Sequence, residues 1–408
     1  MRVAVIGAGF AGLACATDLS QHDVDVTVYE ARERVGGRVW TGTMPDGAPF
    51  ERGGEFVETG YDHMLRRAGE HGLAVAPQGF DFAAREVRSG GAALPDLLLE
   101  SERALAAIVD ALAAGAGSIS AAAALARTEL APLARTALER RLAGTFTVPL
   151  DRVSASWLAS REARAEDAAG ELPSSRLAAG NDALARALAA ALGGRVRLQH
   201  PVDDLRATDG GVMVAVRGAS EAFDRAVLAV PLPVAIDSLL PALRHRSSYA
   251  RLQWGVAAKL HIPLAAPAAP AAVQGLKAPF WSWTALGAGG APASFASSFA
   301  GGADALALLA GAGGAAWLEA LRALRPELQY AGEPVLTTWD GQARESRGSY
   351  SCHPPGWSLA DDEEIAAPLG RVHLAGEHTA GAFCGTMEGA LRSGARAAAE
   401  VLAERGHG

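Results

Sequence analysis

Only three cysteines occur in 408 residues, Cys15, Cys352 and Cys384, and no two stand in CxxC spacing. Neither a disulfide framework nor a zinc site is indicated, no metal is expected, and the odd count suits a reducing, cytoplasmic setting. Basic charge is also short: 37 Lys and Arg against 45 Asp and Glu give a formal charge of −8, with no long basic run. A nucleic-acid partner is therefore not expected. Aromatics make up 6 % of the chain, whereas alanine runs abound, raising helix propensity without adding amphipathic contrast. No uncharged apolar run reaches the ~20 residues of a membrane span. The longest candidate, "IPLAAPAAPAAVQGL", carries three prolines and reads as a loop or edge strand, so no membrane partner is expected. The opening "MRVAVIGAGF" runs straight into a strand and a glycine turn, so no secretory leader is expected.

What is present begins at that turn. Val3 to Ile6 form a short apolar run, and "GAGFAGLACATDL" follows, placing Gly7, Gly9 and Gly12 in GxGxxG spacing at a strand-to-helix junction. Gly7 permits the tight turn, Gly9 lets backbone approach a pyrophosphate, and Gly12 allows close helix packing over the strand. A second strand, "DVTVYE", ends in Glu30, whose carboxylate can accept hydrogen bonds from a ribose diol and would repel a 2′-phosphate. The ligand is then an adenine dinucleotide without that phosphate, FAD or NAD. In the continuation "EARERVGGRVWT", Arg32, Gly36, Gly37 and Arg38 make a second glycine turn beside two guanidinium groups. Such a turn suits clamping a pyrophosphate from its other side, which an NAD site does not need.

This GGR turn and "FERGGEFV" at 50–57, which carries Gly54, Glu55 and Phe56, resemble the flavin-containing amine oxidase superfamily of monoamine, polyamine and L-amino-acid oxidases. The resemblance implies an α/β chain: a Rossmann-like FAD-binding domain with an interleaved substrate domain of mixed sheet plus helices. Residues 1–76, 196–246 and 341–408 would form the first, and 77–195 and 247–340 the second. At 196–217 apolar and polar residues alternate about Gly210 and Gly211, which reads as a hairpin. The residue matching Val202 would meet the adenine through its backbone. Farther on, "RVHLAGEHTAGAFCGTMEGALRSG" resembles the flavin-binding C-terminal motif. There Glu377 would bind the ribityl or phosphate region, and the amide of Met387 would point at the pyrimidine edge of the isoalloxazine. A helix N-terminus at that edge favours the negative charge of reduced flavin.

The reacting centre is expected around "GVAAKLHIPL". Read at period two, Val256, Ala258, Leu260 and Ile262 share one face, and Ala257, Lys259 and His261 share the other. A half-solvated strand would send Lys259 to water. The resemblance instead implies a lysine reaching the flavin N5 through a water. Its cation would stabilise negative charge on the flavin or on superoxide. In "WDGQARESRGSYSCHPPGW", Trp339 and Tyr350 match aromatic positions near the flavin, and Tyr350 would be one wall of a cage around the substrate amine. The opposite wall falls on Thr386, which is not aromatic; Trp281 and Trp283 are candidates to compensate. Some relatives attach flavin through a cysteine just before that tyrosine, but this chain has Ser349, so noncovalent FAD is expected.

An amino-acid substrate would call for an arginine to fork its carboxylate. The stretch "GGEFVETGYDHML" has none before Arg66, and Glu58 and Asp62 there suit a cationic amine. The expected activity is oxidation of a C–N bond, with imine hydrolysis to a carbonyl compound and reoxidation by dioxygen to hydrogen peroxide. The expected partners are a small amine, dioxygen and a second copy in a homodimer. Two rivals stand beside this reading. One is a C–C desaturase or oxidase of a polyene, terpenoid or tetrapyrrole, which needs neither Lys259 nor Tyr350. The other is a flavin-binding module without turnover.

Overall fold

In the computed structural model, which describes residues 1–113, 118–167 and 174–405, a short apolar strand sets the frame. Strand β1 (Arg2–Ile6) is buried from Val3 onward. Such a run suits the middle of a parallel sheet covered on both faces. It lies between β2 (Asp25–Tyr29) and the strand Arg225–Leu228, which "AFDRAVLAV" supplies after a long excursion. Val372–Leu374 and Val196–Arg197 complete five strands, all parallel. Helix α1 (Phe10–Ser20) leaves the glycine turn and packs against the C-terminal helix Met387–Glu404 over an apolar cluster that includes Leu13, Leu391 and Val401. Glycine is required for this closeness: a Cβ on Gly12 would lie 1.9 Å from the Gly7 carbonyl oxygen, and Gly7 itself takes φ +104°.

The second sheet has seven strands, ordered Val335–Trp339, Ala257–Pro263, Phe295–Gly301, Trp281–Thr284, Ala271–Gly275, Glu86–Ser89 and Ala92–Ala93. Its pairs are antiparallel except that of Ala271–Gly275 with Glu86–Ser89. The proline-rich stretch read as a loop or edge begins and ends in interior strands: Pro263 closes Ala257–Pro263 opposite Phe295, and the prolines at 267 and 270 precede the paired residues of Ala271–Gly275. The hairpin about Gly210 and Gly211 forms as expected, as the first pair of a three-stranded antiparallel sheet.

Helices Pro95–Ala113, Pro132–Phe146 and Ala155–Asp167 form the helical insertion, with their own apolar cluster around Leu138, Leu142 and Phe146. Residues 114–117 and 168–173 of the stretch read as helical lie outside the described residues. The helix Asp182–Leu192, within the 77–195 part expected in the substrate domain, sends Leu184, Leu188 and Leu192 into the cluster around α1.

The Gly12 contact is with backbone, which cannot rotate away. Gly12→Ala should cost about 3 kcal/mol or more, as overpacking of a closed core does. Thermal melting of the purified protein should show a clear downward shift; an unchanged midpoint would mean that turn and helix can separate.

Candidate active site

A cavity of about 1190 Å³ runs from the glycine turn to the inner face of the seven-stranded sheet. At its first end, Gly9 presents bare backbone: a Cβ built there meets nothing within 4 Å. Glu30, at the end of β2, accepts from the amides of Ala8 (2.8 Å) and Arg32 (2.9 Å), one on each carboxylate oxygen. Each oxygen keeps lone-pair capacity toward the cavity that Glu30 lines. The amide of His200 bonds the Glu30 carbonyl at 2.8 Å, which brings Val202 to the same wall. Gly37 and Arg32 line it too, the latter 3.6 Å from Glu345. Arg34, not singled out from the sequence, braces this turn by donating to the carbonyls of Val35 and Gly37. This end therefore has the shape and donor set for an adenine dinucleotide.

Midway, Arg38 Nη1 donates to Glu377 (2.7 Å) and to the Ser349 carbonyl (2.7 Å). Glu377 also accepts from the Gly385 amide (2.8 Å) and the Ser351 hydroxyl. Burial works against its charge, yet Arg38, His378 and these donors hold its carboxyl below the usual range. Glu377, expected at the ribityl or phosphate region, also knits three segments together through both of its oxygens. Met387 begins the C-terminal helix here, and a Cβ on Gly54 would lie 3.0 Å from its side chain.

At the far end stands Lys259. Every residue from Ala257 to Ile262 is buried, and Lys259 is 5 % exposed, so the solvated-edge alternative fails. Ala258, Leu260 and Ile262 face a cluster with Trp317 and Leu321, while Ala257 and Lys259 line the cavity. The lysine Nζ donates to Glu55 Oε2 (2.6 Å) and to the Glu51 carbonyl (3.1 Å). The other oxygen of Glu55 accepts from Trp283 Nε1 at 3.1 Å. Glu55 thus fixes the lysine. His261 shares the lysine's face yet does not line the cavity; it packs on Phe50 with ring centres 4.5 Å apart and bonds Ser297 Oγ. Burial drives its pKa well down, so it stays neutral.

Aromatic rings close this end. Tyr350 is fixed by its hydroxyl on the Thr145 carbonyl (2.7 Å), and Trp339 by Nε1 on the Arg52 carbonyl (2.8 Å). Trp281 and Phe299 stand 6.0 Å apart between centres, Phe56 and Trp283 5.7 Å, and all four line the cavity. Thr386 lines the cavity and also caps the C-terminal helix, accepting from the Gly389 amide at 2.9 Å and donating to the Phe383 carbonyl at 2.7 Å. The phenol of Tyr61, which sequence reasoning passed over, hydrogen-bonds Thr386 and supplies a ring on that side. Glu58 lines the cavity, whereas Asp62 stands at the surface, 3.3 Å from Arg392. Arg161, from the alanine-rich helix Ala155–Asp167, also lines the cavity; no motif marks it. Cys352 and Cys384 are buried beside this end, their thiols pushed up in pKa by burial. Among the described residues no group of His, Cys, Asp and Glu is placed to hold a metal ion.

Comparison with known proteins agrees with this geometry. The family model described as flavin containing amine oxidoreductase matches residues 10–402. A protein of Mycobacterium tuberculosis described as a flavin-containing monoamine oxidase, AofH, is 29% identical over 460 residues, spanning 98% of this chain and 96% of its own. Putrescine oxidase of Kocuria rosea is 45% identical over 71 residues, 17% of this chain and 15% of that one. Among solved structures, putrescine oxidase bound to putrescine superposes with a TM-score of 0.82 at 24% identity, over 99% of both chains. Cyclohexylamine oxidase from Brevibacterium oxydans IH-35A gives 0.83 at 22%, again over 99% of both. At such identities the superpositions establish the shared fold.

The lysine's surroundings yield a pH signature. Glu51, wholly buried, accepts from the Asn181 amide and the Thr41 hydroxyl, and burial, reinforced by Glu55, pushes its carboxyl up to about 8. The folded protein then keeps a proton that the unfolded chain releases near 4.5. Stability should fall as pH rises between those values and level off above the upper one. Glu51→Gln removes this dependence, so the variant should melt above the parent at about pH 9, with the gap closing toward about pH 5. A gap that stays constant with pH in thermal melts would show that Glu51 is ionised throughout.

Proposed function

The chain belongs to the flavin containing amine oxidoreductase family, and we propose how its cavity divides the work of oxidising an amine with FAD. The reaction is FAD-dependent oxidation of an amine donor, with dioxygen as acceptor. FAD, when bound, supplies the two-electron chemistry. We assign the ribose diol to Glu30, the pyrophosphate to the turns of Gly7, Gly9 and Gly37 with Arg32 and Arg38, and the adenine edge to Val202. The isoalloxazine would be held by the helix start at Met387 with Gly54, Trp339 and Lys259, which line one cavity. Ser349 offers no thiol for attachment and the cysteines nearby are buried apolar fillers, so binding is noncovalent. We further place the enzyme in the cytoplasm, a reading supported by three buried, unpaired thiols. Among the described residues no helix is long and apolar enough to cross a membrane.

The observation that carries this division is that Lys259, buried and fixed by Glu55, lines the same cavity as the glycine turn and Tyr350. An ammonium has three donors. Two are taken by Glu55 and the Glu51 carbonyl, leaving one to hold a water and to answer negative charge arising beside it. The Glu55 carboxylate, 2.6 Å away, gives the buried lysine the partner that a charge in a dry setting requires. Tyr350, Trp281 and Phe299 offer an apolar, π-faced bed. It favours the neutral amine, whose lone pair is needed for oxidation, over the cation. The ring of Tyr61 and the small side chain of Thr386 leave a wider slot than two facing cage rings would, which suits a bulkier amine.

Mixing the flavin-loaded protein anaerobically with primary amines, polyamines and amino acids should bleach the visible flavin band. Admitting air should restore it, with one peroxide released per bleached flavin. A band that stays oxidised through every panel would overturn the proposed division of the site. Lys259→Met should slow reoxidation by dioxygen by about 100-fold, the scale of losing one preorganised electrostatic partner, while slowing bleaching far less. Equal slowing of both phases in stopped-flow traces would count against the role given to the lysine.

A further inference from the structure

The loop 341–348 crosses the nucleotide end of the cavity from a narrow neck. Gly341 takes φ +91°, and a Cβ on it would lie 3.7 Å from the Arg347 carbonyl oxygen; at the other end Arg347 and Gly348 take φ +50° and +137°. Left-handed backbone at both ends sends the chain out and brings it back. The amides of Ser346 and Arg347 both bond the Ala343 carbonyl, at 3.2 and 2.8 Å, so the tip is one preformed turn. From that tip Arg344 and Glu345 line the cavity.

Two ion pairs fasten the loop. Glu345 stands 3.6 Å from Arg32, in the turn after β2. Arg347 reaches the helical segment Ala235–Leu239, with Nη1 2.6 Å from Asp237 and Nη2 3.4 Å from Ser238 Oγ. That segment follows the strand Arg225–Leu228, and this strand and β2 flank β1 on opposite sides. The loop therefore spans the groove in front of the glycine turn that leaves β1. Its fastenings are wet: side-chain exposures are 18 and 37 % in one pair, 30 and 45 % in the other. Asp237 also divides its oxygens between Arg347 and Arg244. Pairs this open to water hold weakly and are screened by salt, unlike the nearly dry Arg38–Glu377 pair. Arg344 is different again. It is exposed and has neither an ion pair nor a hydrogen bond among the described residues, so its whole fork is free for phosphate oxygens.

We propose that the loop 341–348 is a strap closing over the diphosphate of the bound dinucleotide. Arg344 grips the oxygens from the solvent side, and the pairs Arg32–Glu345 and Arg347–Asp237 are latches that set how fast the cofactor enters and leaves. The inference rests on the cofactor placement given above, and it supplies a hold for a cofactor that is not covalently attached. A latch and a contact differ in kinetics: loosening a latch speeds entry and release together, whereas losing a contact with the ligand speeds release alone.

The test uses the flavin-loaded full chain. Release of FAD on dilution is followed by flavin fluorescence, the dissociation constant comes from serial dilution, and the entry rate is the release rate divided by that constant. The double variant Asp237→Asn, Glu345→Gln should release FAD about tenfold faster at low salt and take it up faster to a similar degree, leaving the constant within about threefold. Adding about 0.5 M KCl should speed release from the parent and change the double variant much less. Arg344→Gln should raise the dissociation constant about tenfold, through release alone. Gly9→Leu fills the cradle opposite the strap at an ordinary φ of −76° and should shed FAD. If Gly9→Leu holds FAD as the parent does, the cofactor placement is wrong. If it sheds FAD while the strap variants match the parent in rates and constant, the placement stands and the strap is overturned. Faster release without faster entry in the double variant would make residues 237 and 345 plain contacts and overturn the latch.

Discussion

The pair Arg38–Glu377 is the contact on which the cavity depends. It joins residues 339 positions apart, and through the Ser349 carbonyl, Ser351 and the Gly385 amide it binds the loop bearing Tyr350 to both glycine-rich motifs. None of these segments is a long helix or a wide strand able to fix itself. Glu377 is nearly inaccessible, so losing either partner would strand a charge in a dry place, which costs roughly 3–5 kcal/mol for buried pairs. The aromatic wall, the helix start at Met387 and the nucleotide turn therefore hold one another in register.

A second buried pair, Lys259 with Glu55, works differently. It sits on an interior strand flanked by Phe299 and Thr337, so its position follows from sheet register. Its two members carry opposite charges, and what the cavity meets is a dipole with a spare N–H, held by Trp283 from behind. A dipole fixed in advance needs no rearrangement when charge appears beside it.

Much of this was legible in the sequence where chemistry imposes a residue type. The turn at Gly7 to Gly12, the acid ending β2 and the GGR turn each answer to a steric or electrostatic demand that few residues meet, and each occupies its expected place. Lys259 was legible only because order along the chain outweighed the general preference of lysine for water. The rest was hidden for physical reasons. The protein donors that Glu55 and Glu377 take up could not be read ahead, because a motif records that a carboxylate is present, not what bonds to it. Thr386 looked like a deleted wall because the capping of a helix and the lining of a cavity fall on one residue. Tyr61 and Arg161 were invisible because they reach the site from surrounding segments through packing alone. The helix Asp182–Leu192 looked like its alanine-rich neighbours, and only its leucines' contact with α1 tells them apart.

The parallel sheet has a consequence for how the protein is made. Its strands come from residues 2–6, 25–29, 196–197, 225–228 and 372–374, and the helix that seals α1 is drawn from 387–404. A ribosome delivers the first two strands early and withholds the last strand and the sealing helix until synthesis is nearly over. The helix Asp182–Leu192 supplies part of the cover of α1 midway, but the face sealed by the C-terminal helix stays open, and the nucleotide turn lacks its opposing wall, until the end. The nascent chain must carry that exposed surface through the synthesis of more than three hundred residues, the circumstance in which large proteins come to rely on chaperones.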